Sequence, residues 1–380
     1  MRRRLAFSVA LLLGLAGTAG AAEPPPFSAA AVLVANGKTG EVLFEYKADK
    51  RLPMASITKV MTALIALEQA KPGEIVTIGR QAPAVGEATI SLSPGEKLPV
   101  RDLLAAALIQ SANDAAYALA SHVGGGSAER FVEMMNERAL ELGLGDTRYV
   151  RPDGLDVEGH YSSARDIFRL ARYAMRRPLF RKLVRASEEE IGGGRRIVTR
   201  NDLLRTFPGT IGVKTGQTAG AGWSEVAAAR RDGVTIYVVL LGGPSRVQRN
   251  DDLEELLEWG LDQYGRVELV VAGRTYATAG VPFSDRRVRI VAAGRVERLV
   301  RLGRPWVETV VAPRIARLPV ERGEQLGEVC VANGTLRLCR PLVAADALPV
   351  ASLRSRLSWY AGRALERAGG MLESMFGDLL

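Results

Sequence analysis

Three short groupings of residues in this chain can do chemistry together. Ser56-Ile57-Thr58-Lys59 sets a hydroxyl three residues before an amine, Ser111-Ala112-Asn113 sets a hydroxyl two residues before an amide, and Lys214-Thr215-Gly216 closes a strand-like run. A serine hydroxyl is a weak nucleophile until a base takes its proton. Residues i and i+3 share one face of a helix, so a helix starting here lays Lys59 beside Ser56. The amine accepts a proton only when neutral, and burial plus a second cation, Lys214, is expected to lower its pKa. Arginine cannot take that part, because it keeps its proton in proteins. Only eight of the 51 basic residues are lysine, and one of them is at 59. At 214 the lysine simply agrees with the motif. No grouping is specific alone. Lys-Thr-Gly occurs a second time, at Lys38-Thr39-Gly40, where it reads as a hairpin turn.

These residues need a frame to hold them. Ala30–Ala35 and Glu41–Tyr46 read as strands around that turn, and Ser56–Glu68 reads as a helix with Val60, Leu64 and Leu67 on its apolar side. Arg101–Val123 and Ala128–Leu142 are alanine- and leucine-rich and read as helices, the second ended by Gly143 and Gly145. Ser163-Ala164-Arg165-Asp166 has the form of a capping box opening a helix to about Arg176. Ile211–Thr215, Glu225–Arg230 and Val234–Leu241 read as strands and Asp251–Tyr264 as a helix. A hairpin, a helical middle, then strands and a last helix make one sheet with helices on its faces.

From about Arg266 the texture changes. Short valine- and arginine-rich runs (Glu268–Ala272, Arg287–Ala292, Thr309–Ala312, Glu328–Val331) alternate with turn signals, as in a small all-β module ending near Pro349. Beyond it, Leu353, Leu357, Tyr360, Ala364, Ala368, Leu372, Met375 and Leu379 recur at helical spacing beside Trp359, Phe376 and four arginines. This is the pattern of a helix lying in a membrane interface, or of an amphipathic helix packed on protein.

At the other end, Met1-Arg2-Arg3-Arg4, the apolar Leu5–Leu15 and the small residues Thr18–Ala22 have the layout of an export signal peptide, placing residues 1–22 outside the fold. The net charge is +9. Without a basic block, interleaved aromatics or a helix-turn-helix, that charge points to anionic envelope surfaces and not to nucleic acid. The only histidines, His122 and His160, are far apart and without ligand-spaced partners, so no metal site is expected. Cys330 and Cys339 flank Asn333-Gly334. A two-residue turn there makes them diagonal neighbours and a four-residue loop makes them face, so a disulfide and two free thiols both remain open.

The three motifs in this order resemble those of penicillin-binding proteins and class A β-lactamases. The likeness extends further. Met54–Thr62, Gln110–Ala115, Asp153-Gly154-Leu155-Asp156, His160–Asp166, Arg200–Leu204 and Gly212–Gly222 are similar to segments of the serine D-alanyl-D-alanine carboxypeptidases, the low-molecular-mass penicillin-binding proteins, over about 30–264. The resemblance implies an α+β fold: a transpeptidase-like domain (28–265) with an antiparallel sheet, flanking helices and a helical subdomain, then a β-rich domain (266–350) and an amphipathic anchoring helix (352–380). It implies Ser56 as nucleophile, Lys59 as base, Ser111 as proton relay and Asn113 as a holder of the substrate amide that also orients Lys59. Lys214, Thr215 and Arg200 would bind the terminal carboxylate beside Gly216, and the N–H groups of Ser56 and Gln217 would form the oxyanion hole. Gln217 departs from some relatives, which touches side-chain contacts and not the backbone donor. No cofactor is called for. The implied partners are peptidoglycan stem peptides ending in D-Ala-D-Ala, β-lactams as inhibitors and the outer face of the cytoplasmic membrane.

Other readings exist for some residues. Arg200 also fits an ordinary exposed arginine. His160 and Asp166 read as structural. A D,D-endopeptidase would use the same machinery on cross-links. A class A β-lactamase needs a deacylating glutamate in an E-x-x-x-N setting, but Glu158 is followed at 162 by serine. A binding protein on a dead scaffold is disfavoured by the intact serine and lysine.

Overall fold

A computed structural model of the chain describes residues 7–13, 23–334 and 336–376. The chain divides into two compact units, Ala22–Gln263 and Tyr264–Leu380, the latter taking in the N-terminal strand.

The first unit is built on a five-stranded antiparallel sheet. Its order is Val42–Tyr46, Ala31–Asn36, Val234–Gly243, Gly222–Arg231, Thr210–Thr218. Successive strand residues point to opposite faces, and both faces are covered. A Cβ on Gly260 would meet Ile236 and Val34, so the helix Arg246–Asp262 lies on that face. Phe168 of the helix Ala164–Ala174 meets the ring of Tyr237, the next residue along, on the other face. Beyond Ala164–Ala174 sits a helical layer whose centre is Lys59–Gln69, buried from Lys59 to Ala66 and apolar nearly all round, as a helix enclosed by others must be. The alanines of Asn113–Val123 permit close approach to it.

The strands lie where the sequence pattern puts them, with the site strand and its neighbour longer than read. Two helices differ. The serine enters through a single 3₁₀ turn, Ala55–Thr58, before the α-helix begins at Lys59. The stretch 101–123 is not one helix. Val100–Ala105 passes into a π turn at Ala106–Gln110, Ser111 turns left-handed at φ 66°, and a new helix starts at Asn113. The pattern missed the break because both flanks are apolar and alanine-rich.

In the second unit a six-stranded sheet runs Phe7–Leu13, Trp306–Ala312, Gln325–Asn333, Leu336–Ala344, Arg287–Ala292, Thr275–Gly280, with Tyr264–Val270 paired to Val296–Arg301. Val288, Ile290, Trp306, Val329 and Leu342 form its core. Part of the stretch expected to stay outside the fold thus pairs as a strand, because the open edge of Trp306–Ala312 accepts any extended chain. The rest of residues 1–22 lies outside the described residues. Cys330 stands directly opposite Cys339 and the two are disulfide-bonded. The turn is set by Asn333 pairing with Leu336, one residue later than an Asn-Gly turn would give. The helix Leu353–Phe376 rests Trp359 and Tyr360 against Phe283, while Leu353, Leu357, Leu365 and Met371 are exposed.

Candidate active site

The serine turn, the break at Ser111 and the edge strand Thr210–Thr218 converge. Lys59 is fully buried, and its Nζ donates to Ser56 Oγ at 2.8 Å, Asn113 Oδ1 at 2.7 Å and the Asp153 carbonyl at 2.6 Å. Ser56 itself is only half-buried, so its hydroxyl can be reached from outside while the Lys59 amine beside it is sealed. Burial pulls Lys59 down to about 7. Asp153 opposes this, while Arg200 and Arg151 add to it. The expectation that Lys214 supplies the depressing charge needs correction. Burial comes first and the arginines are the acting cations, whereas Lys59's charge helps hold Lys214 well below its ordinary value. Low-dielectric surroundings penalise the ammonium of either lysine, so two adjacent ones cannot both keep it cheaply.

Lys214, also buried, donates to Ser111 Oγ at 2.9 Å and to the Thr215 carbonyl at 2.9 Å. The hydroxyl of Ser111 therefore stands next to the second lysine with its own proton free to point elsewhere. Asn113 is engaged at both ends, accepting from Lys59 and donating through Nδ2 to the Gly86 carbonyl at 3.1 Å. Gly216 explains the third letter of its motif. A Cβ there would lie 2.8 Å from the Met54 carbonyl and 3.2 Å from the Ser56 nitrogen, so only glycine lets the strand close on the serine turn. Thr210–Thr218 is the sheet's open edge, leaving one row of backbone N–H and C=O groups, around Gln217, unpaired by any strand. Arg200 is exposed, and its charge reaches both lysines.

Two residues here adopt left-handed backbone without being glycine: Ala55, just before Ser56, at φ 49°, and Ser111 at φ 66°. Such conformations cost about 1–3 kcal/mol each and persist where the surroundings over-determine them. Around Ala55 those surroundings are tight. Thr58 donates to the Ala55 carbonyl, and a Cβ on Gly154 (φ +88°) would fall 2.0 Å from that same oxygen. His160 completes the brace. Val150 donates to its Nδ1, so the ring proton sits on Nε2, facing Thr58 Oγ1 at 2.8 Å. Burial lowers His160 to about 4, so it stays neutral, a structural residue as expected. Asp166 is structural in a different way from a closed capping box. Ser163 accepts from the Asp166 nitrogen, but the carboxylate takes hydrogen bonds from the Asp146 nitrogen and from Thr147.

Several contributors were not anticipated. The Asp153 carbonyl is a loop backbone atom with no signature of its own. Its carboxylate is held by Arg151 and by the Leu155 nitrogen. Asp114 receives the nitrogens of Ile90 and Leu92, pinning the loop that also accepts from Asn113; its signal was an acid in the first turn of a helix. Behind Thr215, its cross-strand partner Glu225 is fully buried and pushed up to about 7 by burial, despite the pull of Arg249 and Lys214. Arg249 approaches it at 3.3 Å without hydrogen-bond geometry and lies 3.7 Å from Asp202, which Arg246 and Asn250 also hold. A lone acid in a valine and alanine strand was the available sign. Among the described residues no carboxylate hydrogen-bonds Ser56 or Lys59.

The chain is similar to known proteins in sequence and in fold. The sequence model of a peptidase family described as D-alanyl-D-alanine carboxypeptidase matches residues 18–245. The Escherichia coli K12 D-alanyl-D-alanine carboxypeptidase DacC is 33% identical over 364 residues, covering 90% of each chain. Penicillin binding protein 5 from Haemophilus influenzae superposes with a TM-score of 0.63 at 26% identity, over 86% of this chain and 99% of that one. Penicillin-Binding Protein D2 from Listeria monocytogenes, solved in its ampicillin-bound form, gives 0.57 at 31% identity, over 62% of this chain and all of that one.

Proposed function

The chain belongs to the D-alanyl-D-alanine carboxypeptidase family of serine peptidases, and from that premise we propose how its residues divide the reaction. The protein is a serine-type D-alanyl-D-alanine carboxypeptidase that acts on cell-wall peptides. The observation behind the residue roles is the fully buried Lys59 amine 2.8 Å from Ser56 Oγ.

Neutral Lys59 takes the Ser56 proton as Oγ attacks the carbonyl between the two D-alanines. The N–H groups of Ser56 and Gln217 hold the oxyanion. The C–N bond breaks, and the proton returns through Ser111 to the leaving amine. Water then attacks the ester, with Lys59 again as base. Lys214, Thr215 and Arg200 bind the terminal carboxylate. That carboxylate favours the charged form of Lys214, while burial, with the charges of Arg200 and Arg151, favours the neutral form of Lys59. Asn113 aims Lys59, and its second amide hydrogen is available to the substrate. A β-lactam enters by the same attack but leaves an ester that water reaches slowly.

Benzylpenicillin followed by intact-mass analysis tests this. The wild type forms a stable adduct and releases D-alanine from a D-Ala-D-Ala peptide, and Ser56→Ala does neither. An adduct surviving in Ser56→Ala would overturn the assignment. Adduct formation without D-alanine release would favour an endopeptidase, and rapid penicillin turnover a β-lactamase.

For the remaining parts, residues 1–22 act as an export signal, 28–265 form the catalytic domain, 266–350 a β-rich domain, and 352–380 a peripheral membrane anchor on the outer face of the cytoplasmic membrane. The exposed Leu353, Leu357, Leu365 and Met371 support the anchor, and no described helix is long and apolar enough to cross a membrane. Deleting 352–380 is expected to release the protein from membranes with peptide hydrolysis intact. Retention on the membrane would end the anchor assignment.

A further inference from the structure

The catalytic unit has a second cleft, of about 940 Å³, at the end of the sheet where Asn36 turns into Gly37 and where Thr210 begins the site strand. Six cations line it: Lys38, Arg172, Arg176, Arg181, Arg185 and Arg230. No acidic residue lines it. Among the described residues none of the six forms an ion pair. Arg51, Arg101, Arg138, Arg165, Arg195 and Arg231 of the same unit each do. Other basic residues of this unit, Arg80, Arg130 and Arg148 among them, also stand outside the ion pairs of the described residues, but here six unpaired cations are gathered in the lining of one cleft.

The cleft is also built. Arg172 donates to the Gly37 and Lys38 carbonyls at 2.7 and 2.8 Å, and Arg181 to the Met175 and Arg176 carbonyls at 2.7 and 2.9 Å. Both guanidiniums are thereby fixed by uncharged partners that leave their charge unspent. Tyr237 forms part of the lining and lies within the field of both. A Cβ on Gly37 would strike its ring at 2.6 Å, so the glycine keeps the turn seated on the tyrosine. The wall includes Lys38 of the first Lys-Thr-Gly, which hydrolysis does not use.

We propose that this cleft binds a phosphate-bearing anion. Six like charges held together repel one another, and one carboxylate would leave most of that repulsion in place. Guanidiniums match phosphate oxygens in bidentate geometry, and a ligand with several phosphate charges answers several at once. Two sources share this chemistry in a cell envelope: a soluble or polymeric phosphate, and the headgroups of an anionic bilayer.

The test uses the full chain and the variant Arg176→Gln/Arg185→Gln/Arg230→Gln, all three exposed, so D-alanine release is expected to stay at the wild-type rate and report an intact fold. Calorimetry with inorganic pyrophosphate, and flotation with phosphatidylglycerol vesicles against phosphatidylcholine vesicles, form the two arms. Pyrophosphate binding that weakens about tenfold or more in the variant, and that high salt suppresses, supports the proposal and assigns a soluble or polymeric phosphate. Vesicle binding that falls in the variant, with no pyrophosphate binding, supports it and assigns the headgroup. Equal binding of citrate, an anion of comparable charge, overturns the phosphate assignment. Binding unchanged in the variant, or absent in both arms, overturns the site.

Discussion

The tripeptide Lys-Thr-Gly stands in two regions of this molecule and does different things in each. At 214–216 the lysine is 2% exposed, sits in a strand beside a second buried lysine, and donates to Ser111. At 38–40 the lysine is exposed in a turn whose Lys38 and Thr39 nitrogens donate to Asn36 Oδ1. The glycines differ too. Gly216 is required by space, against Met54 and Ser56, and Gly40 by its backbone, at φ +79°. Chemistry therefore lies in burial and neighbours and not in the letters. Sealed beside Ser111 and Lys59, Lys214 is held well below the ordinary lysine value, chiefly by burial.

The largest blow to this contrast would come from the base itself. Lys59→Arg keeps a cation beside Ser56 but cannot give up its proton, and hydrolysis is expected to fall on the order of 10²–10⁴-fold. Near-normal turnover would show that no neutral amine is needed. The same argument fixes a pH profile. With Lys59 at about 7, its base form grows as pH rises, so kcat/KM for the peptide should climb through about pH 7 and then level. A flat profile between pH 5 and 8 would remove Lys59 as base.

Lys214→Gln comes next. It takes away the buried amine proposed to meet the substrate carboxylate, and an expected loss of about 10²-fold in kcat/KM should appear with substrates that end in a carboxylate. A peptide amidated at its C-terminus should be nearly as poor a substrate for the wild type. If the variant discriminates between acid and amide as the wild type does, the carboxylate is bound elsewhere.

Gly216→Ala sharpens the comparison of the glycines. Its Cβ meets a backbone carbonyl and nitrogen of the serine turn, neither of which can swing aside, so the strand must back away and activity should drop about tenfold or more. Gly40→Ala meets only the flexible end of Arg172 but must adopt a left-handed backbone. It should lower the melting temperature slightly, by a cost of about 1–2 kcal/mol, and leave kcat/KM alone. Equal activity losses would mean that the two glycines are not needed for different reasons.

Much of the catalytic unit is legible in the order of its residues. The strands of its sheet are runs of valine, isoleucine and alanine, whose β-branched members and bounding glycines mark them, and the nucleophile's lysine is singled out in an arginine-rich chain. What is not legible is whatever depends on backbone turned away from its local tendency. Ser111 interrupts an alanine-rich stretch whose composition favours helix on both sides, and nothing in its neighbours announces φ 66°. The Asp153 carbonyl serves Lys59 through a peptide group, which every residue has. Glu225 does carry a sign, since a carboxylate in the strand Gly222–Arg231 among valine and alanine must be paired, but its partner lies in a helix some two dozen residues later. The Cys330–Cys339 pairing turns on a one-residue shift of the hairpin, which Asn-Gly alone does not decide.

The smallest expected effect is also the one that separates the two lysines most cleanly. Lys38→Arg preserves the charge and the turn, because the turn is held by the Lys38 backbone and by Asn36, not by the lysine side chain. Hydrolysis should be unchanged, the pH profile should be unchanged, and anion binding at the basic cleft should persist, since arginine serves there as well as lysine. The same replacement at 214 puts a bulkier, permanently charged group into a sealed space beside Lys59 and should cost activity heavily. A loss of hydrolysis in Lys38→Arg would mean that the turn and the catalytic strand are coupled through the sheet between them. The first Lys-Thr-Gly would then be part of the enzyme's machinery and not merely a repeat of its spelling.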